Sequence, residues 1–139
     1  MRDILFRGKT VSGRWAEGSL IRAGDYCCIL EAEDKVHPSD YPYLDNDLGT
    51  FDGQATPVDP ETVGQFTGLL DKDGKKIFEG DIVRAKFASN RARFIFEVIF
   101  EKGHFCFHNG FVKATTKEVY SFEVLGNIYD DPALFTPKS

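Results

Sequence analysis

From position 94 onward, apolar and polar residues recur in short runs broken by turn residues, the strongest periodic signal in the chain. Phe94-Ile95-Phe96-Glu97-Val98-Ile99-Phe100 turns at Glu101-Lys102-Gly103 into His104-Phe105-Cys106-Phe107-His108. Alternate side chains of a strand share a face, so this pattern puts Phe105 and Phe107 in a core and His104, Cys106 and His108 on the opposite side. Asn109-Gly110 marks a further turn or bulge, Val119 to Leu125 another strand, and Gly126 a bend. Asp131-Pro132-Ala133-Leu134-Phe135 reads as one capped helical turn, with Leu134 and Phe135 sealing the end of a barrel. Earlier in the chain, Val83, Ala85 and Phe87 alternate with Ile82, Arg84 and Lys86, which predicts a half-buried strand. Leu69-Leu70 and Ile77-Phe78 flank Asp73-Gly74, a two-residue hairpin turn that needs positive φ, which Gly adopts freely and Asp tolerates. Gly80-Asp81 is a second break. Asp59-Pro60 reads as a cap followed by the first position of a helical turn, where the missing N–H of proline costs little.

Nearer the N-terminus, Ile4-Leu5-Phe6, Trp15 to Ile21 and Tyr26 to Leu30 are apolar or alternating, with the first hairpin turn at Ser12-Gly13. Residues 31–58 lose this periodicity and carry Glu31, Glu33, Asp34, Asp40, Asp45, Asp47 and Asp52 with Pro38, Pro42 and Pro57. That composition predicts a long acidic surface loop. Its aromatics, Tyr41, Tyr43 and Phe51, are placed to dock on the domain itself or on a partner. Short strands, frequent turns and almost no helical periodicity together predict an all-β fold built around a small barrel. The expected organisation is an N-terminal β segment with its acidic loop over 1–58, packed on a barrel over 59–139, or one integrated domain.

Composition narrows this little. A chain of 139 residues, 42% hydrophobic, suffices for one domain with a sizeable core or two small subdomains. Thirteen phenylalanines favour pleated faces over helices. No apolar run approaches the roughly 18 residues that span a bilayer, and the first residues lack the apolar core of a signal peptide, so a cytoplasmic location is expected. Three cysteines make no complete disulfide framework and read as reduced, partly buried thiols. The net charge of −5 is unevenly spread. Residues 25–61 hold ten acids and one base, whereas residues 62–93 hold seven bases and four acids.

The run from Asp59 to Val83, with Gly64, Gly68, Gly74 and Gly80 inside it, carries a family resemblance. Its flanks are Leu5-Phe6-Arg7-Gly8-Lys9, Gly13-Arg14-Trp15-Ala16-Glu17-Gly18-Ser19-Leu20 and Val124-Leu125-Gly126-Asn127-Ile128-Tyr129-Asp130-Asp131-Pro132-Ala133-Leu134. With these, the chain resembles the YopX family of phage and prophage proteins over nearly its whole length. The resemblance implies an all-β fold with an SH3-like barrel in the C-terminal part and a phage or prophage origin in a bacterial host. It implies no activity. Relatives often carry Tyr where this chain has Phe66, which argues against an essential phenol hydroxyl there. They often carry Asn-Pro-Glu-Leu where it has Asp131-Pro132-Ala133-Leu134, which suggests a tail held by its apolar residues.

No constellation completes a catalytic site. His104, Cys106 and His108 have ligand chemistry suited to zinc, but no fourth ligand can be named and strand spacing holds the outer two apart. Cys106 with a neighbouring histidine lacks the orienting group and oxyanion donors of a nucleophile. Asp71, Asp73 and Gly74 fail as a calcium loop, because the twelfth residue is Ile82 rather than Glu. Acids in a wet loop lack the burial that would raise a carboxyl pKa for glycoside chemistry. The expectation is a non-enzymatic accessory protein with no cofactor and no metal. It acts by binding a phage or host protein through Tyr41, Tyr43 and Phe51. The alternative is nucleic-acid binding through Lys72, Lys75, Lys76, Arg84, Lys86, Arg91 and Arg93, interleaved with Phe78, Phe87 and Phe94. Binding through so few bases would fade as salt rises.

Overall fold

Among the described residues, the short turns at Gly13, Gly24, Gly74, Arg91 and Lys102-Gly103 each hold one or two residues in a left-handed conformation. The computed structural model describes residues 4–31, 55–110 and 112–135. It is all-β, with antiparallel pairing throughout the strands below. By its internal contacts the chain divides into two compact units, Met1–Gln65 and Phe66–Ser139.

In the first unit, β1 (Phe6–Lys9) pairs with β2 (Trp15–Ala23), which pairs with β3 (Tyr26–Leu30). β4 (Ala55–Pro57) adds to the far side of β3. It lies inside the stretch expected to be loop. Three residues ending in proline give no periodic signal, and proline is tolerated because it sits in a strand at the sheet edge. On the other side of β1, the first two residues of β5 (Gly64–Leu70) pair with Phe6 and Arg7. Ala16, Cys27, Ile29 and Val58 form the core, with Phe6, Leu20 and Val63 packed against them.

Asp59 caps a 3-10 turn at Pro60–Thr62 as its sequence predicts, its carboxylate accepting from the Glu61 N–H at 3.0 Å. The turn is fastened to β1: the Asp59 N–H donates to the Lys9 carbonyl at 2.9 Å, and the Lys9 N–H donates to Thr62 Oγ1 at 2.9 Å. These bonds hold Asp59 and Thr62 to β1, and the first compact unit runs on to Gln65. A second tie closes the roots of the segment between β3 and β4. Arg14 Nη1 donates to Glu31 Oε1 at 2.8 Å, Arg14 Nη2 to Oε2 at 3.1 Å, and Thr56 Oγ1 to Oε2 at 3.1 Å. Glu31 is only 3% exposed, so it belongs to the fold rather than to an acidic loop.

In the second unit, β5 continues from Phe66 and pairs with β6 (Lys76–Phe78). The loop between them is not the two-residue turn expected. Gly74 N–H donates to the Asp71 carbonyl at 3.0 Å and Asp71 N–H to the Lys75 carbonyl at 2.7 Å, and only Gly74 has positive φ, +84°. This is a three-residue loop whose last member must be left-handed, a conformation that glycine takes without a Cβ penalty. The two-residue form occurs instead at Lys102-Gly103, where both residues have positive φ (52° and 82°).

A five-stranded sheet follows, in the order β10-β9-β8-β7-β11. Its strands are β7 (Asp81–Phe87), β8 (Arg93–Glu101), β9 (His104–His108), β10 (Lys113–Ala114) and β11 (Val119–Asn127). Strands β7 to β10 form a meander, and β11 returns to the free side of β7, an arrangement consistent with a barrel-like fold. The core gathers Ile77, Val83, Ala85, Phe96, Val98, Phe107, Ala114, Val119 and Phe122. Phe107 stacks on Phe122 at 4.9 Å and meets Phe96 edge-on at 6.2 Å, so ring packing adds to area burial. A 3-10 turn spans Pro132–Phe135, as expected. Leu134, expected to seal the barrel end, is 44% exposed. The turn is also held by polar bonds: Asp131 Oδ2 accepts from Asn127 N–H at 3.4 Å, and Asn127 Oδ1 accepts from the N–H groups of Tyr129 and Asp130 at 2.9 Å each.

Candidate functional site

The outer face of β7 is where the sequence places charge on a strand that must also build a core. Val83 and Ala85 point inward, so Arg84 and Lys86 project from the other side. Residues directly opposite on neighbouring antiparallel strands project from the same face. Register therefore puts Tyr120, Lys86 and Arg93 in one row across β11, β7 and β8, and Glu123, Arg84 and Ile95 in the next.

The step from Tyr120 to Glu123 on β11 matches only two residues of β7, so one residue is extra. Ser121 fills that bulge with φ 57°, a left-handed conformation uncommon for a residue with a Cβ. The bulge turns Phe122 into the core and Glu123 outward. Regular alternation would have done the reverse. The signal was present in the sequence: Val119, Phe122 and Val124 are apolar with a three-residue first step.

One more cation joins from the β5–β6 loop. The Lys72 N–H donates to the Phe122 carbonyl at 2.8 Å. Beside it, the Asp71 carboxylate accepts from Asp73 N–H (2.8 Å) and Lys75 N–H (2.9 Å) through Oδ1, and from Val124 N–H (3.0 Å) through Oδ2. Burial alone would raise this acid's pKa, but three backbone donors outweigh it and hold the carboxyl below its ordinary range. Asp71 thus ties the loop to β11 and places Lys72 at the same face.

The result is a cleft of about 260 Å³ lined by Lys72, Arg84, Ala85, Lys86, Arg93, Ser121 and Glu123. Glu123 is its one carboxylate, 3.2 Å from Arg84 Nη1 and 3.7 Å from Lys72 Nζ. These ion pairs are exposed and contribute little to stability. Lys86 and Arg93 stand opposite each other with no carboxylate of the described residues within ion-pair distance. Like charges in that position destabilise a sheet.

Of the seven bases read from the sequence as one patch, the structure brings Lys72, Arg84, Lys86 and Arg93 to the cleft, while Lys75, Lys76 and Arg91 do not line it. The interleaved phenylalanines are not part of it. Phe78 is buried against Phe66, and Phe87 packs edge-on to Phe94 and Phe96. Tyr120, which the sequence pattern did not single out, is the aromatic residue paired with the cationic row, 42% exposed. Tyr41, Tyr43 and Phe51 lie outside the described residues.

The other candidate constellation fares differently. Cys106 does not sit on an open polar face but is 1% exposed, opposite Ile99. Burial, with the Glu101 carboxylate adding to it, pushes its thiol pKa up, which disfavours the thiolate that a ligand or nucleophile requires. His104 lies across from Glu101 and His108 across from Glu97. Among the described residues, no group of three or more His, Cys, Asp or Glu side chains could hold a metal ion. Glu97 has its pKa raised by burial and by Glu79, against the opposing effect of His108. Glu101 is lowered and Lys113 raised by their mutual hydrogen bond of 2.6 Å. Charge on the β8–β10 side of the sheet is therefore largely balanced, whereas the β7–β11 side is cationic.

These features define a small all-β protein of two units, the second carrying a cationic cleft on a five-stranded antiparallel sheet. The family model described as YopX protein matches residues 22–136, and the chain belongs to the YopX family. The crystal structure of protein EF1440 from Enterococcus faecalis is similar in fold, with a TM-score of 0.55 and 21% identity over 98% of this chain and 100% of that one. No curated protein matches. Among the described residues, no helix is long and apolar enough to cross a membrane.

Proposed function

We propose that this is a non-enzymatic accessory protein of phage or prophage origin, acting in the cytoplasm of a bacterial host. It works by binding an anionic partner on the β7 face of its second unit. The observation that carries this reading is the Lys86–Arg93 pair, two cations set opposite each other beside Lys72, Arg84 and a single carboxylate. An arrangement that costs stability in the free protein is relieved when an anion fills the cleft. Catalysis by cysteine is disfavoured by the burial of all three thiols and the upward shift of their pKa values. The protein-partner surface expected at Tyr41, Tyr43 and Phe51 lies outside the described residues.

Chromatography on phosphocellulose tests the reading. A chain of net charge −5 is retained by an anionic matrix only through a local patch. Retention at low salt, lost in the Lys86→Ala, Arg93→Ala double variant, is the expected result. A wild-type protein that flows through would refute it.

A further inference from the structure

We propose that the cleft is a binding site for single-stranded nucleic acid, with phosphates held by Lys72, Arg84, Lys86 and Arg93 and one base stacked on Tyr120. This inference rests on the anionic-partner reading and names the partner. Three observations point to it. Lys86 and Arg84 stand two residues apart along β7, about 7 Å, a spacing comparable with that of successive phosphates on an extended strand. Tyr120 lies in the same row as Lys86 and Arg93 and presents an exposed ring beside the cations. An aromatic face next to a cationic groove is the arrangement that takes up unstacked bases, and the bases of a duplex are already stacked. Ser121 lines the cleft from a left-handed bulge, so strained backbone coincides with the proposed contact surface.

With the four cations engaged by phosphates, only Ser121 and Glu123 of the cleft remain to meet base edges. Its lining is three cations from strands, one from a loop, a serine, an alanine and one glutamate. Binding is therefore tolerant of sequence, with affinity set by phosphate contacts and stacking. An acidic polypeptide would satisfy the cations but would make no use of the ring of Tyr120.

The test is fluorescence anisotropy of the full chain with a labelled oligothymidylate of about ten nucleotides. If four phosphates are contacted, affinity falls about 50-fold between roughly 50 and 200 mM salt. Lys86→Ala with Arg93→Ala lowers the slope of log affinity against log salt by about 1.4. Tyr120→Ala weakens binding at least about 5-fold and leaves that slope unchanged, because a ring releases no counterions. Tyr120→Phe restores the affinity. Urea denaturation of each variant confirms that the fold is intact. If Tyr120→Ala has no effect while the salt slope still depends on Lys86 and Arg93, stacking is overturned and the anionic-partner reading survives. Tighter binding of a poly-glutamate peptide than of the oligonucleotide overturns the nucleic-acid assignment alone. Binding of no polyanion at the lower salt overturns both.

Discussion

Replacing Asp71 by alanine removes one carboxylate that three backbone N–H groups share. Two of those donors, Asp73 and Lys75, are in an exposed loop and gain water on mutation, whereas Val124 is half-buried in β11. A hydrogen bond to a charged acceptor is worth about 1.5–3 kcal/mol. Counting the Val124 bond in full and the loop bonds at a fraction gives a loss of about 3 kcal/mol. Asp71 is 7% exposed but covered mainly by its own loop, close beneath the surface, so the figure belongs at the low end of such sums. The effect has a definite pH dependence. A carboxyl whose pKa is depressed in the folded state contributes stability above its unfolded value, about 3.9, and loses it as pH falls through the folded value. Urea unfolding of wild type and Asp71→Ala at pH 7 and pH 3 measures both effects. The difference is expected to be about 3 kcal/mol at neutral pH and to narrow in acid. A difference below about 0.5 kcal/mol at pH 7, or one unchanged at pH 3, would refute the reasoning. Asp71→Ala should also weaken binding at the cleft, because it frees the loop that positions Lys72.

Gly80 has φ +92°, and a Cβ there would stand 3.1 Å from the ring of Tyr129. Gly80→Val is expected to cost about 3 kcal/mol, seen as a lowered melting temperature with no selective effect on binding. A melting temperature equal to wild type would contradict the turn's conformational demand. Glu31→Gln removes the charge and turns one of the two acceptor oxygens facing Arg14 into a donor, and should destabilise by about 3 kcal/mol in urea, the low end for a buried pair because the Arg14 side chain is 30% exposed. An unchanged midpoint would show that the tie is dispensable. Cys27, Cys28 and Cys106 are all free, buried and shifted upward in pKa. Native protein at neutral pH should react slowly with a thiol-specific chromogen and release all three equivalents only on unfolding. Rapid labelling of the native chain would place a thiol at the surface.

Much of the fold is written in local signals. The alternation of Ile82 to Phe87, the Asp59-Pro60 cap and the turns around Gly13, Gly74 and Gly103 concern residues near one another, and each appears in the structure at or beside its expected place. What escaped the pattern depends on distant partners. β4 exists because β3 offers it an edge. The Asp73-Gly74 turn gained a residue because the Asp71 carboxylate reaches β11 and organises the loop around itself. The site was half legible. Bases crowd residues 62–93 in the sequence, but only the pairing of β7 with β8 and β11 selects Arg84, Lys86 and Arg93, only the tie of the β5–β6 loop to β11 adds Lys72, and Lys75, Lys76 and Arg91 are left apart. The aromatic residue beside these cations is hidden in the sequence for a related reason. Phe78 and Phe87 lie among the bases in sequence, yet apolar rings go to the core. The amphipathic ring of Tyr120 comes instead from β11, a strand distant in sequence that only register brings beside Lys86.

The most direct test of the central claim is a map of backbone amide chemical shifts on adding a short polyphosphate at low salt. An anion in the cleft perturbs Lys72, Arg84, Ala85, Lys86, Arg93 and Ser121 first, and the shifts collapse as ionic strength rises. Shifts centred on the β8–β10 side or on the first unit, or none at all, would contradict the assignment of the β7 face as the contact surface.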